Sequence, residues 1–448
     1  MITSIVATRV PLSELLERAR ALDPRRWLWR LGAVYSALAA AAAMRLAVEW
    51  IVLLLLVASV VFALAGAAAA HGRSRLGLGR IVAAAIAFRV LFVFLTPTLS
   101  DDVWRYLWDG KVARAGINPY AHAPDASALV ALRDEDWGRV NHRSIPTIYP
   151  PVAQVLFRIA APGGLAAWKG IVLAFDVLTM MALARGLRAA GRPIEQLVFY
   201  AWNPLILVEL VWNAHVDAAA AALLACAVVA CSRGKQRGAT ALVSLAAGVK
   251  VFPVLLLPRV VGASRLHRAW WIPFAIGGVF TAPYLGAGWR ALLTALCVYA
   301  RNWEFNGFVY ETLRHVGANP RGVRLALVGL LLAATGVATA RVRAPADAAL
   351  WIVFTVVVLN PTVHPWYVTW IVPLAVLATG PPRVTALLLS LVVPLSYVVL
   401  AVRESTGSWF LPESWLRLEW WPVVAMLTVE LTLFARAHRR SAVRAPAG

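Results

Sequence analysis

Two adjacent carboxylates, Asp101 and Asp102, open the polar segment that follows a long apolar run. A single acidic side chain would be enough to cap a helix and to favour its first turn. This segment supplies two carboxylates beside the cation Arg105, which is more charge than a cap requires. Because ionisable groups next to a membrane-spanning run are costly and usually functional, we expect Asp101 or Asp102 to take part in the function of the protein. Either can take a proton from a hydroxyl nucleophile, and the pair can hold a divalent cation such as Mg²⁺ or Mn²⁺.

A second cluster of polar residues lies where one apolar run ends and the next begins; it contains Asn203, Glu209, Asn213, His215 and Asp217. His215 and Asp217 are two positions apart, so they would not share a face of a continuous helix, although a turn can bring them together. The same residues could instead form a hydrogen-bonded cap of a helical hairpin. A zinc site is not expected, because no further His or Cys stands at ligand spacing. The cluster is therefore a candidate substrate site.

Candidate anion contacts follow in the second half of the chain. His364 lies in a turn that prolines break, and its ring can donate to a phosphate; a histidine satisfied within the structure is the alternative. Arg301 offers a stronger phosphate contact, and the aromatic residues around it can stack on a sugar. The candidate phosphate contacts are Arg301, His364 and Arg105, and the candidate substrate contacts are Asp109, Tyr149, Asn213, His215, Asp217, Glu304 and Trp366.

The composition indicates that membrane helices position these residues. The 448-residue chain is 61% hydrophobic and 15% charged, which is more apolar surface than one soluble core can bury. Apolar runs such as residues 50–70 and 81–98 are long enough to cross a bilayer. In a soluble protein, the net charge of +21 would suggest a nucleic-acid partner. In a membrane protein, the basic residues instead indicate which loops are cytoplasmic. We therefore expect an all-α, polytopic transmembrane helix bundle that has the lipid bilayer as a partner and does not bind nucleic acid.

Basic clusters define the expected orientation, because short loops rich in Arg and Lys remain cytoplasmic. Successive clusters are separated by pairs of apolar runs, except around residues 239–258, a single run that Lys250 and Pro253 interrupt. We interpret this run as a re-entrant or broken helix pair, which is tolerated where protein surrounds it. About twelve crossings remain, so that both termini are cytoplasmic and the carboxylate pair is extracytoplasmic.

The expected organisation is one membrane domain with basic flanks. Residues 1–30 form a basic cytoplasmic segment, residues 31–437 a single transmembrane domain, and residues 438–448 a basic cytoplasmic tail. Two long outer loops, 99–151 and 288–321, belong to the membrane domain, and short helices are expected in the first. The excess of Arg over Lys is typical of a GC-rich bacterial genome, so the expected location is the inner (plasma) membrane of a bacterium.

Several short motifs in a fixed order resemble one enzyme superfamily. They are residues 100–110 with 116–120, 149–151, 213–217, 250–253 and 364–367. This order resembles that of bacterial GT-C-fold glycosyltransferases, in particular the polyprenyl-phosphate-mannose-dependent mannosyltransferases that extend cell-envelope glycans. Trp104 is a departure, since Tyr is expected there in similar proteins.

The resemblance implies a GT-C-like fold and the transfer of a hexose, mannose by that likeness, from a polyprenyl phosphate to a glycan or glycolipid, with inversion. It also implies that the acidic position at Asp101 or Asp102 is the general base or a metal ligand, without choosing between the two. Arg301, His364 and Arg105 would then contact the donor phosphate. No cofactor is expected beyond the divalent cation already considered.

Two other classes of membrane protein account for part of the pattern. A transporter or flippase of lipid-linked sugars would explain the many helices and the broken run near Lys250. No internal repeat is evident, however, and the polar residues collect at one face of the membrane rather than at its midplane. A scaffold without catalytic activity would tolerate the loss of both Asp101 and Asp102.

Overall fold

The computed structural model describes residues 23–71, 75–262, 269–285 and 287–444. Within these ranges the chain is built of helices, and the β-type pairing consists of isolated bridges from Phe305 and Asn306 to Thr362. The all-α prediction is confirmed for these residues. Most of the basic segment 1–30, part of the basic loop around residue 265 and the end of the tail 438–448 lie outside the described residues. Their cytoplasmic placement stays a prediction.

The longer helices are numbered in chain order. The first are α1 (Pro24–Ala43), α2 (Val48–His71), α3 (Leu78–Val93), α4 (Asp102–Arg114), α5 (Pro151–Ala160), α6 (Gly164–Ala189), α7 (Asp217–Ser232) and α8 (Gln236–Ala247). There follow α9 (Trp271–Thr281), α10 (Ala287–Asn302), α11 (Phe308–His315), α12 (Pro320–Arg341), α13 (Pro345–Leu359), α14 (Arg383–Val392), α15 (Val398–Thr406) and α16 (Glu413–Arg444). Shorter helical segments include Ser127–Leu132 and Glu135–Arg139 in the loop 99–151, Ile194–Leu197, Val198–Ala201, Pro204–Ile206, Leu207–Trp212, Phe252–Leu256, Leu257–Gly262, Pro365–Val368, Ile371–Leu377 and Val393–Tyr397.

Local sequence explains where some of these helices begin. The Asp23 carboxylate accepts a hydrogen bond from the backbone N–H of Arg25 at 3.0 Å, and Asn319 accepts one from Arg321 at 2.9 Å. In both cases proline follows the capping residue. The side-chain oxygen satisfies a donor that has no partner within the helix, and proline has no N–H to leave unpaired there. An acidic or amide residue followed by proline therefore predicts these starts.

Five described helices are long and apolar enough to cross a membrane, and a sixth is added if one bent pair counts as a span. They are Val48–Ala70, Pro151–Ala189, Pro320–Arg341, Arg383–Thr406 and Glu413–Ala437. Asp217–Ser232 and Pro345–Leu359 are apolar but shorter, and at 1.5 Å per residue they fall below the ~30 Å of a hydrocarbon core. The chain has the architecture of a multi-pass membrane protein, and about twelve crossings remain a prediction.

Two of the apolar runs are broken. The predicted interruption within residues 239–258 is present, since α8 ends at Ala247 and the next helical turn begins at Phe252. A second break was not predicted: Ile194–Ala201 and Pro204–Trp212 are bent by 48° relative to each other. Asn203 lies at this bend and caps the following turn by accepting from the N–H of Leu205 at 2.9 Å. The side of the membrane to which residues 239–258 return stays a prediction.

A buried ion pair joins α3 to α6. The Arg89 guanidinium donates to the two oxygens of Asp176 at 2.5 and 3.0 Å and to the Ala201 carbonyl at 2.8 Å. The Tyr200 hydroxyl donates to the same carboxylate at 2.8 Å. Since both charged side chains are buried, each depends on the other for compensation of its charge.

Asp176→Ala is expected to lower the free energy of unfolding by about 3–5 kcal/mol, because it leaves Arg89 charged and unpaired in the interior. Thermal unfolding of the purified protein in one detergent measures the loss. Asp136→Ala, which removes an exposed pair with Arg139 at 3.5 Å, is the matched control and should cost less than about 1 kcal/mol. Equal stability of the two variants would contradict the structural role of the buried pair.

Candidate active site

The carboxylate pair lies at the start of α4, where Asp101 is exposed and Asp102 is partly buried. The side-chain amide of Asn141 donates to both carboxylates, at 2.8 Å to each. The other oxygen of Asp102 lies 3.5 Å from the Tyr106 hydroxyl and 3.9 Å from Nδ1 of His215. One amide thus holds both carboxylates, and Asp102 is the one that faces the interior.

The environment of Asp102 makes it a weaker acid than an ordinary aspartate. Burial raises the pKa of Asp102 to about 6, and the negative charge of Asp101 adds to the shift. The positive charge of Lys250 and the hydrogen bond from Asn141 oppose it, because both favour the ionised form. A carboxylate with a pKa close to neutrality can accept a proton during a reaction and release it afterwards, as a general base must.

His215 lies directly behind Asp102 and is fully buried. Its Nδ1 is 3.5 Å from the Tyr106 hydroxyl, and its Nε2 is 3.4 Å from the Glu209 carboxylate. Burial lowers the pKa of His215 well below its usual value, and the positive charge of Lys250 adds to the shift. The ring is therefore neutral, and it links Asp102 to Glu209 in a row of polar groups.

An irregular backbone positions His215. The preceding segment Leu207–Trp212 is a π-helix, and Ala214 has a φ of 56°, a left-handed conformation that is strained for a residue with a side chain. The Trp168 indole donates to the Ala214 carbonyl at 2.8 Å and holds the turn in place. Because π-turns and strained residues are frequent at functional sites, this turn supports the assignment of the site.

Lys250 supplies the cation of the site. Its Nζ is 3.4 Å from the Asp217 carboxylate, and it lies over the rings of Tyr149 and Tyr367, 5.5 and 5.4 Å from their centroids. The Trp370 indole donates to the other Asp217 oxygen at 2.6 Å. The Lys250 side chain remains 16% exposed, whereas Asp217 is fully buried.

The break at Gly248 places Lys250 next to the end of the loop 99–151. The Gly248 carbonyl accepts hydrogen bonds from the N–H groups of Val152 at 2.9 Å and Ala153 at 3.2 Å, in the first turn of α5. A Cβ atom at position 248 would overlap the side chain of Val152. The end of the loop and the Lys250 segment are thus joined backbone to backbone.

Stacked rings form a wall beside these groups. The rings of His215, Trp366 and His364 stack in that order with centroids 4.2 and 4.3 Å apart, and Phe305 continues the stack at 4.9 Å. Burial lowers the pKa of His364 to about 3, with a further contribution from the charge of Lys250. His364 is therefore neutral and can offer a hydrogen bond but no charge.

The structure brings most of the predicted residues to one place. Asn213 accepts from the backbone N–H of Leu99 at 3.3 Å, and the Tyr149 ring packs on Tyr106 with centroids 5.0 Å apart. The predicted residues that surround this centre are Asp101, Asp102, Tyr149, Asn213, His215, Asp217, His364 and Trp366.

Four predicted residues have other contacts. Arg105 is buried, donates to Asp109 at 3.0 Å and to the Ile145 carbonyl at 2.9 Å, and so holds the loop together. Asp109 also accepts from Gln154 at 3.2 Å.

The other two, Arg301 and Glu304, lie at the end of α10. Glu304 accepts from Arg324 at 2.7 Å. Arg301 is exposed and lies two positions after Tyr299, whose hydroxyl is 2.5 Å from that of Tyr367. Because two helical positions differ by about 200°, Arg301 faces away from the site that Tyr299 approaches.

A divalent cation stays a prediction. Within the part of the chain that the structure describes, no group of three or more His, Cys, Asp or Glu side chains is arranged to hold a metal ion. Asp101 and Asp102 nevertheless supply the two carboxylates that Mg²⁺ commonly combines with water and substrate phosphate. They are the residues that would hold the ion.

Lys250, Glu209 and Asn141 at the centre were not among the predicted contacts, although the sequence places Glu209 in the cluster around His215 and Lys250 in the motif 250–253. Lys250 and Glu209 were detectable as ionisable residues within apolar runs, a pattern that usually marks function. Asn141 had no such signal, since it is a polar residue in a long polar loop, 39 positions from Asp102. Only the folded loop shows that it contacts the carboxylates.

Comparisons with known proteins indicate a family for the chain. The family model described as alpha-(1→6)-mannopyranosyltransferase, N-terminal domain, matches residues 4–265, which include the carboxylate pair, Asn141, His215 and Lys250. The alpha-(1→6)-mannopyranosyltransferase A of Corynebacterium glutamicum is 22% identical over 202 residues. This similarity covers 43% of the present chain and 40% of that relative. No solved structure matches the chain.

Proposed function

The chain belongs to the alpha-(1→6)-mannopyranosyltransferase family, and from this membership we propose that it transfers a mannosyl residue from a polyprenyl-phosphate donor to a cell-envelope glycan or glycolipid. The proposed reaction inverts the anomeric centre and occurs at the extracytoplasmic face of a bacterial inner membrane, with both termini cytoplasmic. The observation that carries the proposal is the carboxylate pair at the start of α4: the Asn141 amide donates to Asp101 and Asp102 at 2.8 Å each, and Asp102 lies 3.9 Å from Nδ1 of His215.

Asp102 is the proposed general base. The acceptor hydroxyl attacks the anomeric carbon while the bond from that carbon to the phosphate oxygen breaks through an oxocarbenium-like transition state. The hydroxyl proton passes to Asp102, and the electron pair of the broken bond stays on the phosphate. Partial burial and the raised pKa favour Asp102 over the exposed Asp101. Asp101 then serves to raise the basicity of its neighbour.

Lys250 is the proposed contact of the leaving phosphate, whose negative charge grows in the transition state. This assignment revises the predicted set, because Arg105 is paired with Asp109 and Arg301 lies on the far side of α10. Neutral His364 can add one N–H donor to the same phosphate. Trp366, stacked between His215 and His364, offers the aromatic edge against which a sugar can pack.

Asn141→Ala is expected to shift the acid limb of the pH profile. The Asn141 hydrogen bond favours the ionised form of Asp102, so its removal raises the pKa of that carboxyl. Since the base must be unprotonated, kcat/KM rises with pH through this pKa. The midpoint should move from about pH 6 in the natural protein to a value about one unit higher. Asn302→Ala, which removes an exposed amide that donates to the Val298 carbonyl within α10, should leave the midpoint in place. A midpoint that stays or falls in Asn141→Ala would contradict the assignment of Asp102.

Transfer by the purified protein tests the proposed function. The protein in detergent is incubated with a β-linked polyprenyl-phosphate mannose and an alkyl α-mannoside, and the product is analysed by mass spectrometry and NMR. We expect a new α-(1→6)-linked mannose. Absence of product together with movement of the donor across protein-containing liposomes would support a flippase instead.

A further inference from the structure

A buried carboxyl group, that of Glu209, faces the edge of the His215 ring that points away from Asp102. Oε2 of Glu209 lies 3.4 Å from Nε2 of His215, and the backbone N–H of His215 donates to the Glu209 carbonyl at 3.0 Å. Both side chains are fully buried. Neither Oε2 nor Nε2 has another hydrogen-bond partner within the described residues. Each of these two atoms therefore depends on the other, and one proton between them satisfies both.

The surroundings of Glu209 favour a protonated carboxyl group. The Tyr397 hydroxyl donates to Oε1 of Glu209 at 2.6 Å, and no Lys or Arg side chain of the described ranges pairs with this carboxyl. A carboxyl group that is removed from water without a cation keeps its proton, because the desolvation cost of the charge exceeds what neutral donors return. Since Tyr397 occupies Oε1, the proton lies on Oε2, the atom that faces His215.

The charged groups on the neighbouring elements have partners of their own. Lys250 pairs with Asp217 at 3.4 Å. The helices α3 and α6 pack against the π-helical turn, and their Arg89 and Asp176 pair with each other. Lys169 of α6 donates to two backbone carbonyls, at 2.9 and 2.5 Å. These cations are therefore engaged elsewhere and do not compensate a negative charge on the buried glutamate.

A protonated Glu209 determines the tautomer of His215. The ring is neutral and carries one N–H, so if Oε2 donates to Nε2, the ring proton lies on Nδ1. Nδ1 is 3.5 Å from the Tyr106 hydroxyl, which is 3.5 Å from Asp102. Burial raises the pKa of Tyr106 well above its usual value, so this hydroxyl stays protonated. The Nδ1–H group then donates to the Tyr106 oxygen, and the Tyr106 hydroxyl donates to Asp102.

The opposite tautomer would break this sequence of hydrogen bonds. A ring with its proton on Nε2 presents a lone pair at Nδ1. The Tyr106 hydroxyl would then donate to Nδ1 and turn its proton away from Asp102. The stacked Trp366 ring, with its centroid 4.2 Å from that of His215, covers one face of the imidazole and keeps the ring in this orientation.

We propose that Glu209 is a positioning residue for the base: as a neutral carboxylic acid it fixes the Nδ1–H tautomer of His215, and the hydrogen bond relayed by Tyr106 then favours the ionised form of Asp102. The kinetic consequence rests on the proposed transfer reaction, whereas the protonation of Glu209 does not. The hydroxyl proton of the acceptor still passes to Asp102, and Glu209 keeps its own proton throughout.

Infrared spectroscopy tests the proton on Glu209 without reference to transfer. At about pH 8, well above the Asp102 pKa of about 6, the natural protein in detergent should show the carbonyl stretch of a protonated carboxyl group that Glu209→Gln lacks. The contributions of other carboxyl groups cancel in the difference between the two spectra. A difference spectrum that shows the loss of an ionised carboxylate would overturn the proposal, whether or not the protein transfers mannose.

Transfer rates test the effect on the base. Glu209→Leu removes the donor to Nε2, so the pKa of Asp102 should rise and the midpoint of the acid limb should move up by about half to one pH unit. Since the base must be unprotonated, kcat/KM at about pH 6 should fall about two- to fivefold and recover toward the natural value at about pH 8. Glu209→Gln supplies an amide N–H to Nε2 and should restore the natural midpoint.

The controls separate this role from a contribution to folding alone. Glu413→Leu, which removes an exposed carboxylate paired with Arg417 at 2.5 Å, should leave the midpoint in place. Tyr106→Phe keeps the ring and removes the relaying hydroxyl, so its midpoint should rise even if Glu209→Leu does not fold. An unchanged midpoint in Tyr106→Phe or in folded Glu209→Leu would overturn the proposal. An equal shift in Glu209→Gln and Glu209→Leu would also overturn it, because Glu209 would then act as a proton acceptor.

Discussion

Asp102→Asn is expected to lower the rate of mannosyl transfer by about 10²–10⁴-fold, the contribution that a general base usually makes. Asparagine keeps the size of the side chain and the contact with Asn141, but it cannot accept the acceptor proton. The loss should appear mainly in kcat, because the base acts in the transition state. Initial rates with a polyprenyl-phosphate mannose donor and an alkyl mannoside measure it, and size-exclusion chromatography shows whether the variant is folded.

Asp101→Asn is the matched control for this prediction. It removes the neighbouring negative charge, which helps to raise the pKa of Asp102, so the acid limb should move to lower pH and the rate should fall by about tenfold or less. A large loss in Asp101→Asn with full activity in Asp102→Asn would exchange the two roles. Full activity in both variants would remove the carboxylates from the mechanism.

Lys250→Met should reduce kcat by about 10²–10³-fold, as expected when one preorganised contact to a developing negative charge is lost. Methionine retains the length and most of the apolar volume of lysine and removes the ammonium group. Lys250→Arg keeps the charge and should retain part of the activity. Lys235→Met, at an exposed lysine, should behave as the natural protein. Unchanged kcat in Lys250→Met would eliminate this residue as the phosphate contact.

Loss of Lys250 also leaves the buried Asp217 carboxylate without its cation, which could destabilise the protein independently of the reaction. The double variant Lys250→Met/Asp217→Asn separates the two effects, because a neutral amide needs no counter-ion. Its thermal stability should recover relative to Lys250→Met while its rate remains low. Recovery of the rate together with the stability would show that the ammonium group acts only through folding.

The composition and the long apolar runs were sufficient to predict an all-α membrane protein, while the number of its crossings stays a prediction. Several apolar runs became helices of membrane-spanning length, for example Val48–Ala70. Others are divided by a break, as at Asn203 between Ile194–Ala201 and Pro204–Trp212. Still others form helices as short as Asp217–Ser232. Hydropathy indicates that a segment is shielded from water by lipid or by protein. The length of an unbroken helix also depends on local capping and packing.

The candidate site could be predicted for the functional residues that lie at the ends of apolar runs. Asp102, His215 and His364 stand at the ends of apolar runs, so placing them on one membrane face was enough to expect that they meet. Arg301 was chosen for its charge and its aromatic neighbours, and the helical position of Arg301 turns it away from the site that Tyr299 approaches. Asn141 contacts both carboxylates through the path of an irregular loop, which has no periodicity from which a contact could be predicted.

The contact of Gly248 with the first turn of α5 has a consequence for chain length. A carbonyl held by two amide groups is a fixed anchor, and Lys250 follows it by only two residues. Inserting or deleting one residue between them would displace the ammonium group by up to about 3.5 Å, more than a hydrogen bond can stretch. Active variants of this protein should therefore tolerate substitutions of the side chains around Gly248, but not a change in the two-residue spacing between Gly248 and Lys250.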